Sequence, residues 1–292
     1  MTLDTAEAIT TPPVSKGGKK KSSSMLSFKT MFLYPGIILS AGWTMLNIVR
    51  IIGYVNQLKI ERPECTATNP NRELIMGITM VALFMLKERI EDFSTKFFDR
   101  NLPEAKFPLG SDSRKSKSSM LGERIFKLII SLFCISSLYK IMLQEDCDFL
   151  DVRVGGRIPR ALYYNNYPCQ QIPAYLDGFY VFKLTYHLYE LGYTILKQRT
   201  RSDFPEYVLH HLMTWSLIFF SYSLNMLPIG AAVMILHDLT DFAVTMFKIT
   251  IDVTPFFVQV SFYISMIVSW VYLRLWYFPV HVIYRLHEEC YD

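Results

Sequence analysis

Seven runs of mostly apolar residues dominate the pattern of the chain. They lie at Met31–Tyr54, Leu74–Leu86, Ile125–Met142, Phe179–Leu196, Tyr207–Asn225, Pro228–Phe247 and Phe256–Tyr284. A transmembrane helix needs about 20 such residues, so most runs qualify and the second one is marginal. The runs are continuous rather than alternating, unlike the strands of a membrane barrel. The pattern therefore predicts an all-α, multi-pass transmembrane helix bundle with six to seven spans.

Polar stretches divide the chain into three regions. Residues 1–25 carry Thr, Pro, Gly, Lys and Ser with little to bury, which predicts a disordered basic tail. Residues 26–117 are predicted to hold two N-terminal spans and a cytosolic linker that belongs to the polar stretch Glu88–Glu123. In residues 118–292 the spans follow each other closely, which predicts one compact transmembrane domain.

Charge and cysteine usage narrow the class of protein. The net charge of +4 gives no reason to expect a nucleic-acid partner. Lysines without an intervening acid precede the first apolar run, which predicts a cytosolic N-terminus. Cys147 and Cys169 share one predicted lumenal loop, where they can either form a disulfide or stay free. The other cysteines suggest no disulfide framework.

Two polar clusters interrupt consecutive apolar runs, on either side of Pro228. They are His210-His211 and His237-Asp238-x-x-Asp241. A charged side chain in hydrocarbon costs about 2.5–3.5 kcal/mol or more, so such groups usually face a cavity and mark a functional site. The two clusters are therefore interpreted as a reaction centre. A structural polar network remains the simpler alternative.

Helical spacing predicts how these groups meet. His237, Asp238 and Asp241 are three or four residues apart, so we expect them on one side of their helix. Counting back from the short connection at Pro228, Asp241 comes within a turn of the histidine pair. Four basic residues, Lys197, Arg199, Arg201 and Lys248, are expected to form a mouth on the cytosolic side. An imidazole held by a carboxylate can act as a base or nucleophile, and the basic mouth suits an anionic carrier such as coenzyme A.

A family resemblance lies in the same stretch of the chain. Its residues are 203–211 (DFPEYVLHH), 220–225 (FSYSLN), Gly230, His237-Asp238, Asp241 and Lys248. They resemble the signature of ceramide synthases, the longevity-assurance branch of the TLC-domain membrane proteins. The resemblance implies a TLC-type barrel of about five to six helices, preceded by one or two N-terminal spans. It also implies that the chain stops before the last barrel helix.

The resemblance implies an activity and roles for residues. The activity is transfer of a fatty acyl group from acyl-CoA to a sphingoid base, in the endoplasmic reticulum membrane. His210 or His211 accepts the acyl group or transfers protons, Asp238 and Asp241 orient imidazole, and His237 completes the site. Substrate binding falls to the basic mouth and to Tyr222 and Asn225.

Several alternatives stay open. The protein can instead be a non-catalytic TLC-domain lipid-binding protein or a scaffold subunit of a larger membrane complex, and a homo-oligomer is a further alternative. His237 and Asp241, with His210 or His211, offer three ligands to a zinc-like ion. Membrane di-iron enzymes need many more histidines than the six present here. We therefore expect no metal and no cofactor, with acyl-CoA as co-substrate and membrane lipid as the surrounding partner.

Overall fold

The part of the chain that the structure describes is helical, in agreement with the predicted all-α class. The structure is a computed structural model that describes residues 34–62, 71–143, 167, 169, 172–173, 175–199, 203–284 and 287. Its helices are α1 (Tyr34–Glu61), α2 (Arg72–Asn101), α3 (Asp112–Met142), α4 (Leu176–Lys197), α5 (Phe204–Ser223), α6 (Leu227–Thr250) and α7 (Phe256–Trp270). After α7 the chain continues as a π-helical segment, Val271–Tyr284, which contains Pro279. The predicted tail at residues 1–25 lies outside the described residues.

The chain divides into two units, Met1–Gly53 and Tyr54–Asp292. The described part of the first unit is the beginning of α1, in which residues 39–40 and 42–53 are largely exposed. The second unit contains the end of α1 and all the later helices. It also contains every polar cluster singled out above.

Three of the described helices are long and apolar enough to cross a membrane. They are Asp112–Met142, Leu227–Thr250 and the continuous helix Phe256–Tyr284. Six to seven spans were expected from the runs alone. Polar side chains within the other runs, such as Lys183, His187 and Glu190 in α4, lower their hydropathy. The chain is thus a helical membrane protein, and several of its helices carry polar side chains within their apolar runs.

The predicted linker at Glu88–Glu123 is for the most part helical. Helix α2 extends past its apolar run to Asn101, and α3 begins at Asp112. Arg114 closes the turn between them, since it is 1% exposed and donates hydrogen bonds to the carbonyl oxygens of Asp99 (2.6 Å) and Phe107 (2.7 Å). Ser111 caps α3 by accepting from the Arg114 amide at 3.2 Å. These contacts satisfy backbone groups that a free linker would leave to water.

Packing within the second unit determines which polar groups can meet. Helix α3 lies between α2 and α6, while α4 packs against α2 and α5. Three residues connect α5 to α6, and among them Asn225 has a φ of 59°, a conformation that asparagine tolerates. Near this connection Tyr180 donates to the carbonyl of Leu227 at 2.8 Å. Helix α5 nevertheless makes its main packing contacts with α4 rather than with α6.

Candidate functional site

His211 occupies the centre of the polar region on α5. It is 8% exposed, and neither ring nitrogen has a hydrogen-bond partner among the described residues. Its ring meets Tyr207 edge-on, with centroids 4.6 Å apart, and lies 6.5 Å from the ring of His187 on α4. The adjacent His210 is exposed, with its ring 5.4 Å from that of His211. His211 is therefore the enclosed member of the pair.

A buried charge network lies beside His211 and was not anticipated from the sequence. Lys127 on α3 donates a hydrogen bond to the Tyr207 hydroxyl and pairs with Glu123 at 2.8 Å. Glu190 on α4 accepts from Lys87 on α2 at 2.9 Å, and both side chains are almost fully enclosed. The Lys127 ammonium also lies 4.0 Å from the second carboxylate oxygen of Glu190, so four helices contribute to one network. The sequence does contain a signal for this network, because Lys127 and Glu190 are charged residues within apolar runs.

Asp238 belongs to a separate ion pair. Its two carboxylate oxygens accept hydrogen bonds from Lys183 on α4 at 2.7 and 3.0 Å. Both residues are buried, at 9% and 3% exposure. Burial of two charges is tolerated only where they neutralise each other and are hydrogen-bonded, as here.

Asp241 and His237 face the last helical segment. Arg274 donates to Asp241 at 2.5 Å, to the Thr240 hydroxyl at 2.7 Å and to the His237 carbonyl at 3.4 Å. The His237 Nδ1 is 2.8 Å from the carbonyl of Val233, and its ring packs edge-on against Phe278 at 5.7 Å. The Asp241 side chain remains 54% exposed despite its partner.

The structure corrects the expected pairing of carboxylate with imidazole. Asp238 and Asp241 are bound to Lys183 and Arg274, and in the described part of the chain no hydrogen bond or ion pair joins either of them to His210 or His211. Consecutive helical positions differ by about 100° of rotation, so His237 and Asp238 approach different neighbours and do not share one side. Because α5 packs mainly on α4, His211 meets His187 rather than the acids of α6.

The predicted substrate-binding residues fall into two groups. Lys197, Arg199 and Lys248 are exposed and lie at or near helix ends, and Arg201 lies outside the described residues. Tyr222 lies near the C-terminal end of α5, about 16 Å from His211 along the axis at 1.5 Å per residue. There the Tyr222 hydroxyl donates to Asp177 at 2.8 Å.

Over the described ranges, no three His, Cys, Asp or Glu side chains come together as metal ligands. Cys169 is disulfide-bonded, whereas Cys134 is a free buried thiol. Cys147, which was considered as the partner of Cys169, lies outside the described residues.

Comparisons with known proteins bear on the same part of the chain. A family model described as the TLC domain matches residues 121–291. Ceramide synthase LOH2 of Arabidopsis thaliana is 30% identical over 164 residues, which are 54% of this chain and 55% of that protein. Ceramide synthase 4 of Mus musculus is 37% identical over 125 residues, or 42% and 31% of the two chains. Ceramide synthase 4 of Homo sapiens is 33% identical over 128 residues, or 43% and 32%. The matched stretch spans about half or less of these relatives' lengths.

Proposed function

The chain belongs to the TLC-domain family, and we propose that it is a ceramide synthase-like enzyme that transfers a fatty acyl group from acyl-CoA to the amine of a sphingoid base. The observation that carries this proposal is His211, an enclosed imidazole with both nitrogens unpaired within the described helices. The similarity of the chain to proteins named ceramide synthase supports acyl-CoA and a sphingoid base as the two substrates. Both substrates suit a polar site enclosed by membrane helices.

The reaction assigns His211 one of two roles. As a base, the imidazole takes a proton from the amine while the amine nitrogen attacks the thioester carbon, the C–S bond breaks and the coenzyme A sulfur receives the proton. As a nucleophile, an imidazole nitrogen first replaces the sulfur on the acyl carbon, and the ring N–H proton passes to the coenzyme A sulfur. The amine then displaces the imidazole and returns a proton to the ring. Both routes end with one new C–N bond and free coenzyme A.

Replacement of His211 tests the proposal. We expect His211→Ala to lower kcat by roughly 100-fold or more, because a positioned acid–base group contributes about that much. Purified full-length protein is incubated with acyl-CoA and a sphingoid base, and the amide product is measured by mass spectrometry. His281→Ala, in the last helical segment, is the matched control and should retain activity. Equal activity of the two variants would reject the role of His211.

The basic mouth is proposed to bind the phosphates of the acyl-CoA carrier. Lys197, Arg199 and Lys248 are exposed, so their attraction to a polyanion is screened by salt. The triple substitution to glutamine should raise the KM for acyl-CoA at low ionic strength and leave the KM for the sphingoid base unchanged. The difference in this KM between the triple variant and the unmodified protein should shrink in 1 M salt, because the Debye length is then only about 3 Å. An unchanged KM for acyl-CoA in the triple variant would rule out the basic mouth as the binding site for the phosphates.

A non-catalytic role is the second candidate. Its supporting observation is that Asp238 and Asp241 are engaged by Lys183 and Arg274, so neither fixes an imidazole tautomer. Under this alternative the bundle binds lipid or supports a larger membrane complex. Absence of amide product from the purified protein, with co-purified lipid or partner subunits, would favour it. In either case we propose residence in the endoplasmic reticulum membrane with a cytosolic N-terminus.

A further inference from the structure

A row of unpaired nitrogens lies where α4 packs against α5. His187 Nδ1, both ring nitrogens of His211 and Trp215 Nε1 are shielded from solvent and have no hydrogen-bond partner in the described part of the chain. His211 and Trp215 are four residues apart on α5 and therefore share one face. The His187 ring, on α4, is 6.5 Å from that of His211. The contact between α4 and α5 thus holds four buried nitrogens, from three side chains, without partners among the described residues.

Buried nitrogens without hydrogen-bond partners cost free energy of folding unless a ligand or water pairs with them. Buried polar atoms are nearly always hydrogen-bonded, and exceptions call for a ligand, an ion or an ordered water. Aromatic rings pack against two of these side chains, since Trp215 stacks on Phe219 at 5.2 Å and His187 meets Tyr186 edge-on at 5.2 Å. The position therefore has the donors and acceptors of a binding site.

The chemistry of the nitrogens selects the kind of ligand. The indole of Trp215 can only donate, whereas a neutral imidazole donates from one nitrogen and accepts at the other. A hydroxyl group can serve both, but a thioester carbonyl can only accept. An anionic phosphate is disfavoured, because the nearby cations Lys87 and Lys127 are already neutralised by Glu190 and Glu123.

We propose that His187 and Trp215 bind the hydroxyl-bearing head of the long-chain amino alcohol and thereby hold its amine beside His211. This inference rests on the proposed function and adds a site for one of its two substrates. His187 and Trp215 act as recognition residues, and His211 remains the reacting group. The site lies where the middle of α4 packs against the middle of α5.

Steady-state kinetics with conservative variants test the site. His187→Phe and Trp215→Phe keep an aromatic ring and remove the nitrogens, and His281→Phe is the matched control. Each of the first two should raise the KM for a saturated sphingoid base roughly tenfold, the usual scale for one lost hydrogen bond. The KM for acyl-CoA should not change. An unchanged KM for the base, or a raised KM for acyl-CoA instead, would overturn the proposal.

Substrate analogues make the assignment specific. Bases lacking one or the other hydroxyl should bind the unmodified protein less well, and one of them should show no further loss with His187→Phe. If His187→Phe weakens binding of both analogues by as much as it weakens binding of the complete base, a direct hydrogen bond from His187 to either hydroxyl is contradicted. A merely structural role predicts that His187→Phe lowers the unfolding temperature. The binding role predicts no loss of stability, since the variant removes an unpaired buried atom.

Direct binding separates this proposal from the proposed function. A radiolabelled sphingoid base is titrated onto the purified full-length protein in detergent, without acyl-CoA. If the protein forms no amide but binds the base, and His187→Phe weakens that binding, the enzymatic function fails and the site stands. Equal binding by the unmodified protein and both variants rejects the site even if amide is formed. Absence of both binding and amide formation rejects both.

Discussion

Lys183 and Lys87 are both enclosed by the helix bundle, and each pairs with a carboxylate on another helix. Lys183 bonds Asp238 across α4 and α6, and Lys87 bonds Glu190 across α2 and α4. The Lys87 ammonium also lies 3.5 Å from the centre of the Tyr193 ring, a cation–π contact. Each pair therefore joins two helices and loses its balance of charge if one partner is removed.

The Lys183–Asp238 pair gives a prediction about stability. Lys183→Met leaves a buried carboxylate without its cation, and we expect a loss of about 3–5 kcal/mol in the free energy of unfolding. The double variant Lys183→Met/Asp238→Leu should recover most of it, because no unpaired charge remains. Lys96→Met removes a lysine from an exposed pair with Asp92 and should cost less than about 1 kcal/mol. Chemical unfolding in detergent measures all three, and equal losses for Lys183→Met and Lys96→Met would contradict the prediction.

The sequence pattern found the acids and imidazoles but not their partners. His211, Asp238 and Asp241 were visible because polar groups are rare in apolar runs. Helical spacing relates residues on one helix, yet it does not fix how neighbouring helices are rotated. Lys183 and Arg274 were therefore not connected to Asp238 and Asp241, and His187 was not connected to His211.

At the scale of elements, close helix contacts depend on small residues. A Cβ on Gly230 of α6 would overlap the hydroxyl oxygens of Tyr180 and Ser221, which hydrogen-bond each other at 3.0 Å. A Cβ on Gly122 of α3 would come within 2.9 Å of the Glu91 carbonyl on α2. These two glycines permit the approach of α6 to α4 and α5, and of α3 to α2.

Substitution of Gly230 tests that contact. Gly230→Ala should lower the free energy of unfolding by roughly 1–3 kcal/mol, the usual cost of overpacking, because both hydroxyls must move. Gly192→Ala on α4 is the matched control, since nothing lies within 4 Å of the new methyl group. Alanine is favoured over glycine in a helix by about 1 kcal/mol, so the control should be stabilised. Thermal unfolding in detergent compares them, and shifts of the same sign in both variants would refute the explanation.

Helix boundaries could be predicted only where the apolar pattern continued to the end of a helix. The connection after Ser223 followed directly from the turn at Pro228. Helix α2 did not end with its apolar run at Leu86, because its polar second half is held by tertiary contacts such as those of Arg114 with Asp99. Such contacts join distant parts of the chain and leave no local signal.

On the scale of the whole second unit, ion pairs link interhelical connections that are far apart in the sequence. Asp252, in the connection between α6 and α7, pairs with Lys106 from the α2–α3 turn and with Lys117 of α3 at 3.4 Å. Asp252 has a φ of 70°, a backbone conformation in which aspartate and asparagine are the commonest residues apart from glycine. This contact, which we call the Asp252 clasp, ties two candidate membrane helices to the α2–α3 turn.

The Asp252 clasp makes stability depend on pH in a defined direction. The hydrogen bond from Lys106, aided by the charge of Lys117, lowers the pKa of Asp252 below its ordinary value. A lowered folded-state pKa means that the contribution is complete above the unfolded pKa, about 3.9, and is lost as pH falls through the folded pKa. We therefore expect Asp252→Asn to lower the unfolding temperature at pH near 6, by an amount that shrinks as the pH approaches about 3. Asparagine retains the backbone preference, so the comparison isolates the charge.

Exposure limits the size of this effect and supplies its controls. The Asp252 and Lys106 side chains are 37% and 55% exposed, so solvent and salt screen their attraction. The difference between the unmodified protein and Asp252→Asn should accordingly narrow in 1 M salt as well as in acid. Asp92→Asn removes an exposed carboxylate whose partner, Lys96, lies within the same helix. It should have a smaller effect at pH near 6, because it connects no separate elements. A difference for Asp252→Asn that stays constant across pH and salt would show that the clasp acts through shape rather than charge.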